Sequence, residues 1–404
     1  MPSAASPPRS LPDDSPHTQL EQMLAETVEA AALRESSRYR EIAGDPTRPM
    51  VLLGAGNLGR RTLRGLRTLG REVVAFTDNA PERWGATVDG VPVLSPDEAA
   101  RRFGAEAVFV VSIWRAEGGF RTAALVGDLR ARGCTRVARI GELYWAHPET
   151  FLPYYGYDLP SRALAQREAI RSAFALLTDD ASRREFVAQL RWRLYNDADA
   201  LGVVLSLPIY FPPDLVRLRD DEVLVDAGGY DGDTVRAFVD ANHGRFRGVL
   251  TFEPDPVNRE RLTAYVASTG DDRIQVLPYA LSDADTTANF VADGTAASRL
   301  AASGQFRVEV RRLTSVPGAE SMTFYKLDIE GAEPEALAGA EPILRRNRPI
   351  VAVSVYHLQG HLWQIACQLA AMFPPDYHWH LRAYTQEGFD AVLYAVPVER
   401  AAAS

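Results

Sequence analysis

Lysine is almost absent from this sequence of 404 residues. Lys326 is the single lysine among 44 basic residues, and all the others are arginine. A composition rich in arginine and alanine is typical of a GC-rich genome, so we attach no function to the bias itself. Arginine is bulkier than lysine and is a poor substitute for a compact ammonium group where space is tight. We therefore expect Lys326, the one position where the bias did not prevail, to have a specific role.

Cysteine is also scarce, and the sequence has no excess of positive charge. The two cysteines, Cys134 and Cys367, lie far apart and outside any C-x-x-C motif. This excludes a disulfide framework and a thiolate zinc cluster, and it is typical of a protein of the reducing cytoplasm. A formal net charge of -9 provides no basic field. We therefore expect neither nucleic acid nor a membrane surface as a partner.

Long hydrophobic runs are absent as well. No stretch approaches the roughly 18 consecutive apolar residues of a membrane span. Residues 1–17 are rich in proline, serine and aspartate and lack the apolar run of a secretory signal. The sequence therefore predicts a cytoplasmic protein with a disordered N-terminal tail.

The periodicity of the sequence predicts two α/β domains. The chain is longer than one ordinary core of roughly 100–200 residues, and its 46% apolar and 24% charged residues are typical of a globular protein. Short apolar strands alternate with helices in two stretches, which predicts two parallel, doubly wound, Rossmann-like sheets. The predicted segments are a disordered tail (1–17), an N-terminal helix (18–44), a Rossmann-like domain (45–147), a helical connector (148–220) and a second α/β domain (221–400).

The first α/β domain carries a glycine motif at the end of its first strand. Residues 54–59 fit G-x-G-x-x-G, and Asp78 follows about 20 residues later, as in dinucleotide sites. Around residues 76–79 and 90–94 the domain also resembles the small Rossmann-like domain at the front of sugar acyltransferases, which implies nucleotide-sugar binding. Three interpretations stay open: a structural scaffold, a nucleotide or nucleotide-sugar site, and an NAD site for redox chemistry.

The second α/β domain has a glycine loop after its own first strand. The strand at 222–225 runs into Asp226-Ala227-Gly228-Gly229-Tyr230-Asp231-Gly232-Asp233-Thr234. Glycines at such a position let the backbone turn tightly and approach a ligand. An acid at the strand end would repel phosphate but can accept hydrogen bonds from an α-amino group. The loop therefore favours a cofactor that carries an amino acid over a dinucleotide.

The next two strand ends complete a cofactor site of that kind. The second strand ends at Glu253-Pro254, and a carboxylate there is the usual partner of ribose hydroxyls. The third ends at Tyr279-Ala280, which can flank an adenine. Amino-acid, ribose and adenine contacts in this order predict S-adenosyl-L-methionine as the cofactor. The candidate cofactor-binding residues are Asp226, Gly228, Gly229, Gly232, Asp233, Thr234, Glu253, Pro254, Tyr279 and Ala280.

Charged residues cluster at the ends of the fourth and fifth strands. Lys326, Asp328 and Glu330 alternate along the chain, so they share one face if the fourth strand extends that far. Burying three charges is costly unless they leave the core at the carboxyl end of the strand, where open α/β sheets bind ligands. His357 follows the fifth strand at the same edge. The candidate catalytic residues are therefore His357, Asp328, Lys326 and Glu330.

These motifs resemble those of the FkbM-type S-adenosylmethionine-dependent methyltransferases. The resemblance covers residues 210–397 and rests on the loop at 226–234, Phe252-Glu253-Pro254, residues 280–283, the run from Lys326 to Glu333, and Tyr356-His357. It implies a class I methyltransferase fold for residues 221–400. It also implies methyl transfer, usually to a hydroxyl oxygen and often on a sugar or a secondary metabolite. The cofactor positions that it implies are Asp226, Gly228, Gly232 and Glu253.

Methyl transfer to an alcohol requires a base close to the acceptor. His357 is the first candidate because an ordinary histidine pKa of about 6.5 suits proton removal near neutrality. Asp328 is the second candidate, and Glu330 can orient either side chain. An alternative interpretation places a divalent ion among His357, His361, Asp328 and Glu330. Since Mg²⁺ prefers oxygen over imidazole ligands, we predict no metal.

The sequence thus predicts an enzyme that acts on a small-molecule acceptor: a sugar, a nucleotide sugar or a natural product. Two functions of other classes remain as alternatives. One is a non-catalytic binding or assembly protein whose methyltransferase half is degenerate. The other is an NAD-dependent sugar oxidoreductase that works through the first domain. A homo-oligomer is compatible with the sequence.

Overall fold

Two mostly parallel α/β sheets, one in each half of the chain, organise this protein. The computed structural model describes residues 15–115, 121–202, 208–291, 299–301, 306–385 and 387–402. The N-terminal unit comprises the chain up to Glu168 together with Arg184–Val204 and Thr385–Phe389. The C-terminal unit comprises Ala169–Arg183, Leu205–Tyr384 and the chain from Asp390 onward. Most of the predicted tail at 1–17 lies outside the described residues.

The N-terminal unit is built on a six-stranded sheet. Its elements are α1 (Pro16–Leu24), α2 (Val28–Ala43), β1 (Met50–Leu53), α3 (Asn57–Thr68), β2 (Val73–Thr77), β3 (Thr87–Val88), β4 (Val91–Leu94), α4 (Pro96–Phe103), β5 (Val108–Val111), α5 (Thr122–Ala131), β6 (Val137–Arg139), α6 (Ile140–Ala146), α7 (Pro148–Phe151) and α8 (Pro160–Leu164). The strand order is β3-β4-β2-β1-β5-β6, and all neighbours except β3 and β4 are parallel. Every residue of β1 and β5 is buried, as expected for central strands covered on both faces.

The N-terminal segment forms two helices rather than the single helix predicted at 18–44. Thr27 separates them, because its ψ of 156° is extended and its hydroxyl accepts a hydrogen bond from the backbone N–H of Ala30 at 3.1 Å. Thr27 therefore caps the start of α2. The prediction of one helix was wrong because the apolar periodicity continues past Thr27. It does not show that the Thr27 hydroxyl caps the start of a second helix.

The helical connector predicted at 148–220 is not a separate element. Helices α9 (Arg167–Leu176) and α10 (Asp180–Tyr195) lie where the chain passes between the units, and each contributes residues to both. The predicted domain at 221–400 also differs, because Thr385–Phe389 belongs to the N-terminal unit. There the Glu387 carboxylate accepts a hydrogen bond from the backbone N–H of Thr122 at 2.8 Å. Periodicity identifies helices and strands, but it does not tell which core each one covers.

The C-terminal unit is built on a seven-stranded sheet. Its further elements are β7 (Val223–Ala227), α11 (Asp233–Ala241), β8 (Gly248–Phe252), α12 (Pro256–Thr269), β9 (Ile274–Leu277), β10 (Ala280–Leu281), β11 (Thr286–Val291), β12 (Arg299–Ala301), β13 (Phe306–Arg311), β14 (Phe324–Leu327), α13 (Glu333–Asn347), β15 (Ile350–Ser354), α14 (His361–Met372), β16 (Tyr377–Ala383) and β17 (Ala391–Pro397). The order is β16-β17-β15-β14-β7-β8-β9, and all neighbours are parallel except that β17 is antiparallel to both β15 and β16. The predicted fold class, two doubly wound α/β domains, is confirmed. No helix in the described part of the chain is long and apolar enough to cross a membrane.

The direction of chain winding reverses between β7 and β14. From β7 the sheet grows one way through β8 and β9, and from β14 it grows the other way through β15. The two strands are parallel, and their register places Lys326 opposite Asp226. Open α/β sheets bind ligands beyond the carboxyl ends of their strands at such a reversal. The topology therefore puts Lys326 beside the expected site.

A small second sheet, which the sequence pattern did not predict, lies between β9 and β14 in the chain. Its four strands have the order β10-β13-β11-β12. It buries a small cluster of its own, formed by Ala280, Phe290, Val308 and Val310. With few buried residues per strand, the period-2 signal in this stretch is weak, which explains why it was missed.

Asp179 links the start of α10 to strand β16. Its carboxylate contacts His380 and Arg382 on β16 and accepts a hydrogen bond from the backbone N–H of Ser182 at 2.7 Å. Burial would raise the pKa of Asp179, but the hydrogen bonds from these partners hold that pKa well below its ordinary value. The ionised form of Asp179 therefore stabilises the C-terminal unit.

We predict that Asp179→Asn lowers the free energy of unfolding by about 1–3 kcal/mol at pH 7, because charge-assisted hydrogen bonds are lost. The depressed folded-state pKa makes this stabilisation fully present above the unfolded-state pKa of about 3.9, and it is lost as the pH falls toward the folded-state value. Urea unfolding of the full chain should therefore show the deficit of the variant shrinking below about pH 4.

The neighbouring residue provides a matched control. Asp180 has a side chain that is 65% exposed and pairs with Arg183 on the same helix. Asp180→Asn should change stability by less than about 0.5 kcal/mol. Equal effects of the two substitutions at pH 7 would contradict the assigned role of Asp179.

Candidate functional site

A cavity lies at the carboxyl ends of β7 and β14, where the winding reverses. The space within it, counted together with its opening to solvent, is about 860 Å³. Residues that follow β7, β8, β9 and β14 all line it. The predicted site residues on its surface are Gly228, Asp233, Thr234, Glu253, Pro254, Tyr279, Ala280, Lys326, Asp328 and Glu330. The structure thus brings together most of the residues that the sequence singled out.

A residue with a side chain would not fit at Gly228, where the glycine loop lies against the turn that follows β14. Gly228 has a φ of +89°, and a Cβ atom there would lie 2.0 Å from the carbonyl oxygen of Asp328. Gly229 and Gly232 were predicted as cofactor contacts, but neither lines the cavity. A Cβ at Gly229 would meet Thr251 Oγ1 at 2.2 Å, so this glycine is required for packing within the domain. Gly232 lies immediately before α11 and has a φ of +92°.

Asp226, predicted as a cofactor contact, pairs with Lys326 instead of lining the cavity. Asp226 is fully buried and absent from the cavity surface. Its Oδ1 lies 3.0 Å from Lys326 Nζ, and its Oδ2 accepts a hydrogen bond from the Thr251 hydroxyl at 2.8 Å. The sequence did not show this arrangement, because it depends on the register between two neighbouring strands. The role of Asp226 is to neutralise a buried ammonium group.

Lys326 connects that ion pair to the glycine loop. Its Nζ donates hydrogen bonds to the carbonyl oxygens of Gly228 at 2.6 Å and Ala227 at 3.1 Å. Burial alone would lower the pKa of Lys326, but the negative charges of Asp226 and Asp328 raise it above its ordinary value. Lys326 is therefore a permanent cation that fixes the backbone at the cavity wall.

Glu253 presents a carboxylate whose position is set by the backbone. Its Oε2 accepts from the N–H of Tyr230 and its Oε1 from the N–H of Asp255, both at 2.8 Å. Burial raises the pKa of Glu253 to about 7, against the lowering effect of these hydrogen bonds. Carboxylate oxygens retain further lone pairs, so this side chain can also accept from ligand hydroxyls in the cavity.

The predicted alternation of Lys326, Asp328 and Glu330 along one strand is wrong. Strand β14 ends at Leu327, and Glu330 has a φ of +57°, in the left-handed region. Because α13 already starts at Glu333, the chain must turn within these few residues. Asp328 and Glu330 nevertheless both reach the cavity from the turn.

Asp328 is held by three side chains from two other segments of the chain. Its Oδ2 accepts a hydrogen bond from the Tyr210 hydroxyl at 2.7 Å, and its Oδ1 lies 3.2 Å from His357 Nε2 and 3.4 Å from the Tyr356 hydroxyl. Burial would raise the pKa of Asp328, but the contact with His357 and the charge of Lys326 lower it. Asp328 is therefore a carboxylate at neutral pH, with its orientation fixed.

His357 lies behind the cavity rather than in it. It is 3% exposed, and its Nδ1 lies 2.8 Å from Glu333 Oε1 while its Nε2 faces Asp328 and, at 3.7 Å, Glu330. Burial alone would lower the pKa of His357, but Glu333, Glu330 and Asp328 hold it well above its ordinary value. Because His357 does not line the cavity, the geometry favours a positioning role for it over the role of base predicted from the sequence.

Several residues of the site were missed by the sequence reasoning. Glu333 belongs to the recognised motif but was not among the predicted site residues. It is fully buried at the first turn of α13, where it accepts from the N–H of Ile329 at 2.9 Å and contacts His361 Nδ1 at 3.3 Å. The spacing of Glu330 and Glu333 against two histidines four apart was a usable signal. The other cavity residues outside the predicted set include Tyr210, Tyr230, Asn258, Phe290 and Tyr356.

The glycine motif of the N-terminal unit has an internal partner. The Asp78 carboxylate accepts hydrogen bonds from the N–H of Ala55 at 3.0 Å and of Ala80 at 3.0 Å, and it pairs with Arg83 at 3.2 Å. As for Glu253, these oxygens keep further lone pairs. The contacts of Asp78 therefore leave all three interpretations of the motif open.

Comparison with known proteins adds a family and a fold. The model of the methyltransferase FkbM domain matches residues 226–389. The crystal structure of methyltransferase FkbM from Methylobacillus flagellatus KT is similar over 94% of this chain and 100% of its own, with a TM-score of 0.76 and 22% identity. No curated protein matches the chain at a significant level.

Two further solved structures are similar to parts of the chain. An rRNA methylase from Streptococcus thermophilus covers 44% of this chain and 87% of its own, with 12% identity and a TM-score of 0.29. RSP, a Rex-family repressor, is similar over 40% of this chain and 84% of its own, with 15% identity and a TM-score of 0.21. The FkbM match contains the cavity residues from Ala227 to Tyr356. We conclude that residues 226–389 match the methyltransferase FkbM domain and that the chain shares the fold of the solved FkbM structure.

Proposed function

We propose that this protein transfers a methyl group from S-adenosylmethionine to a hydroxyl of a sugar or secondary-metabolite acceptor. One observation carries the proposal: a single cavity at the β7–β14 reversal contains a glycine loop, a carboxylate suited to ribose and an acidic far end. The match of residues 226–389 to the methyltransferase FkbM domain supports the same reaction.

The cavity residues suit the three parts of that cofactor. Gly228 and Asp233 surround the place for the methionine part, and Asp233 can accept from the α-amino group in the role first expected of Asp226. Glu253 would accept from the ribose hydroxyls. Tyr279 and Phe290 provide apolar surface for the adenine. When bound, the cofactor supplies an electrophilic methyl group.

The acidic far end of the cavity suits a hydroxyl acceptor. Asp328 is exposed to the cavity, ionised at neutral pH and oriented by Tyr210 and His357. An alcohol oxygen becomes strongly acidic as it takes the methyl group, so a carboxylate of low pKa is a sufficient base. We therefore assign the base to Asp328. Tyr210 and Tyr356 add ring surface on which a sugar or aromatic acceptor can pack.

A small-molecule acceptor also agrees with the charge of the protein. The net charge of -9 would repel the phosphate backbone of a nucleic acid. The carboxylates at the acceptor end add to this repulsion locally. We therefore propose a small molecule without phosphate groups, such as a sugar or a natural product, rather than RNA or DNA.

We predict that affinity for S-adenosylmethionine depends on the ionisation of Glu253. Below its pKa of about 7 the side chain becomes neutral and accepts less well from ribose hydroxyls. Isothermal calorimetry with the full chain should show affinity falling about tenfold or more from pH 7.5 to pH 5.5. Glu253→Gln should bind more weakly at pH 7.5 and lose this pH dependence.

The control for this experiment is Glu260→Gln, which changes an exposed acid on the adjacent helix α12. It should keep both the affinity and the pH profile of the parent. A parent protein that binds no S-adenosylmethionine at either pH would refute the proposed function. An unchanged pH profile in Glu253→Gln would refute the role of Glu253 alone.

We predict that Lys326→Arg weakens S-adenosylmethionine binding by about tenfold or more, which is about 1.4 kcal/mol. A guanidinium group is too large for the buried space between Asp226 and the Gly228 carbonyl, so the glycine loop must shift. Calorimetry below the melting temperature of both proteins separates binding from stability. Arg245→Lys, at a side chain that is 60% exposed, should leave binding unchanged. If Lys326→Arg bound S-adenosylmethionine as tightly as the parent, the assigned role of Lys326 would be wrong.

We predict that methyl label from the cofactor appears on hydroxyl oxygen. The full chain is incubated with methyl-labelled S-adenosylmethionine and fractionated hydroxylated metabolites, and labelled products are analysed by mass spectrometry. Asp328→Asn should lower the rate by roughly 10²–10⁴, because the base is removed. Cofactor binding without transfer to any fraction would favour a non-catalytic binding protein, and label on nitrogen would overturn the choice of acceptor atom.

A further inference from the structure

Tyr210 is a cavity residue that contacts both Lys326 and Asp328. Its hydroxyl donates a hydrogen bond to Asp328 Oδ2 at 2.7 Å, and the centroid of its ring lies 5.2 Å from Lys326 Nζ. Burial and the charge of Asp328 hold the pKa of Tyr210 well above its ordinary value, so the hydroxyl keeps its proton and remains a donor. The side chain thus reaches the carboxylate assigned as the base and the ammonium group that holds the glycine loop.

The backbone of Tyr210 adopts a conformation that a bulky residue rarely occupies. Its φ of +70° lies in the left-handed region, where the Cβ atom of an L-residue is crowded. Such a conformation persists only where the surrounding structure holds it, and it is concentrated at functional sites. A contact at the main chain is therefore expected to keep Tyr210 in place.

The hydroxyl of Tyr394, on β17, provides that contact. The backbone N–H of Tyr210 donates to the hydroxyl oxygen of Tyr394 at 3.2 Å, and that oxygen lies 2.7 Å from the hydroxyl of Tyr384, which follows β16. All three tyrosines belong to one buried apolar cluster of the C-terminal unit. A polar group in such surroundings is costly unless it is hydrogen-bonded. Loss of the Tyr394 hydroxyl would therefore deprive the N–H of Tyr210 of this acceptor and release its strained backbone.

We propose that Tyr210 is a positioning residue whose ring orients Lys326 and whose hydroxyl orients Asp328, and that the hydroxyl of Tyr394 holds it in this role. A cation is attracted to the face of an aromatic ring, and a hydrogen bond to a carboxylate is stronger than one between neutral groups. Resting on the proposed methyl transfer, the arrangement would keep the base at a fixed position relative to the loop that carries the cofactor.

The single lysine of the sequence makes the proposal testable without cofactor or acceptor. The full chain is produced with lysine labelled at its Cε carbon, so that the carbon–proton NMR spectrum shows the signal of Lys326 alone. The ring current of Tyr210 acts on this signal. Tyr210→Leu removes the ring and should move the signal by more than its line width, whereas Tyr210→Phe keeps the ring and should move it much less. Tyr394→Phe should also move it, because Tyr210 loses the acceptor of its N–H.

The matched control is Tyr377→Phe. Tyr377 lies on β16, is 4% exposed and does not line the cavity, and its hydroxyl donates to the carbonyl oxygen of Pro349 at 3.2 Å. This variant loses a buried, hydrogen-bonded hydroxyl of the same kind, so the Lys326 signal should stay at its parent position. Tyr210→Leu opens space in a buried cluster; if it does not fold, Tyr394→Phe decides the outcome because it keeps its ring. A parent-like Lys326 signal in the deciding variant would overturn the proposal.

Cofactor binding and methyl transfer test the hydroxyl of Tyr210 and keep the two proposals separate. Tyr210→Phe should bind S-adenosylmethionine within about twofold of the parent but transfer the methyl group about tenfold or more slowly, because Asp328 loses a hydrogen bond. An unchanged rate would overturn the role of this hydroxyl. The expected shifts of the Lys326 signal, together with no methyl transfer by the parent, would overturn the proposed function and leave the positioning of Lys326 by Tyr210 standing.

Discussion

The buried ion pair between Lys326 and Asp226 is the constraint on which the cofactor half of the cavity depends. It joins β7 to β14 at the point where the winding of the sheet reverses, and both side chains are almost fully buried. Loss of either partner would leave an uncompensated buried charge, which costs about 3–5 kcal/mol. Another cationic side chain cannot easily replace this ammonium group, because it also donates hydrogen bonds to two carbonyl oxygens of the loop. The pair therefore couples the stability of the sheet to the shape of the glycine loop.

The acceptor half depends on a different kind of constraint, the tight turn between β14 and α13. Glu330 adopts a positive φ and Glu333 accepts backbone hydrogen bonds within this turn, so the backbone and the carboxylates stabilise one another. His357 then approaches from the next strand and contacts all three acids. Its charge keeps Asp328 ionised, which is what a base for an activated hydroxyl requires. Histidine thus contributes to the chemistry without touching the cavity.

The sequence predicted what depends on local pattern. Glycine spacing, apolar strands and the acids at strand ends located the sheet and ten of the cavity residues. It could not predict which way Asp226 points, because that depends on the register between two strands separated by about 100 residues. It could not show that His357 is enclosed by carboxylates, since their distances depend on where β14 stops and α13 begins. The division of helices between the two units, and the small sheet carrying Phe290, likewise depend on contacts between distant segments.

The two constraints arise from separate elements, and this separation has a consequence for function. The pair of Lys326 and Asp226 involves β7 and β14, whereas the acidic cluster involves the turn, α13 and the segment after β15. Asp328 is close to both, through the charge of Lys326 and the contact with His357. Tyr210 is as well, because its ring centroid lies 5.2 Å from Lys326 Nζ and its hydroxyl donates to Asp328. A substitution at Tyr356 or Glu330 can therefore alter the acceptor end while the cofactor loop keeps its shape. Since the loop is held from behind by Lys326 and not by the acceptor, the same cofactor half can serve different acceptors.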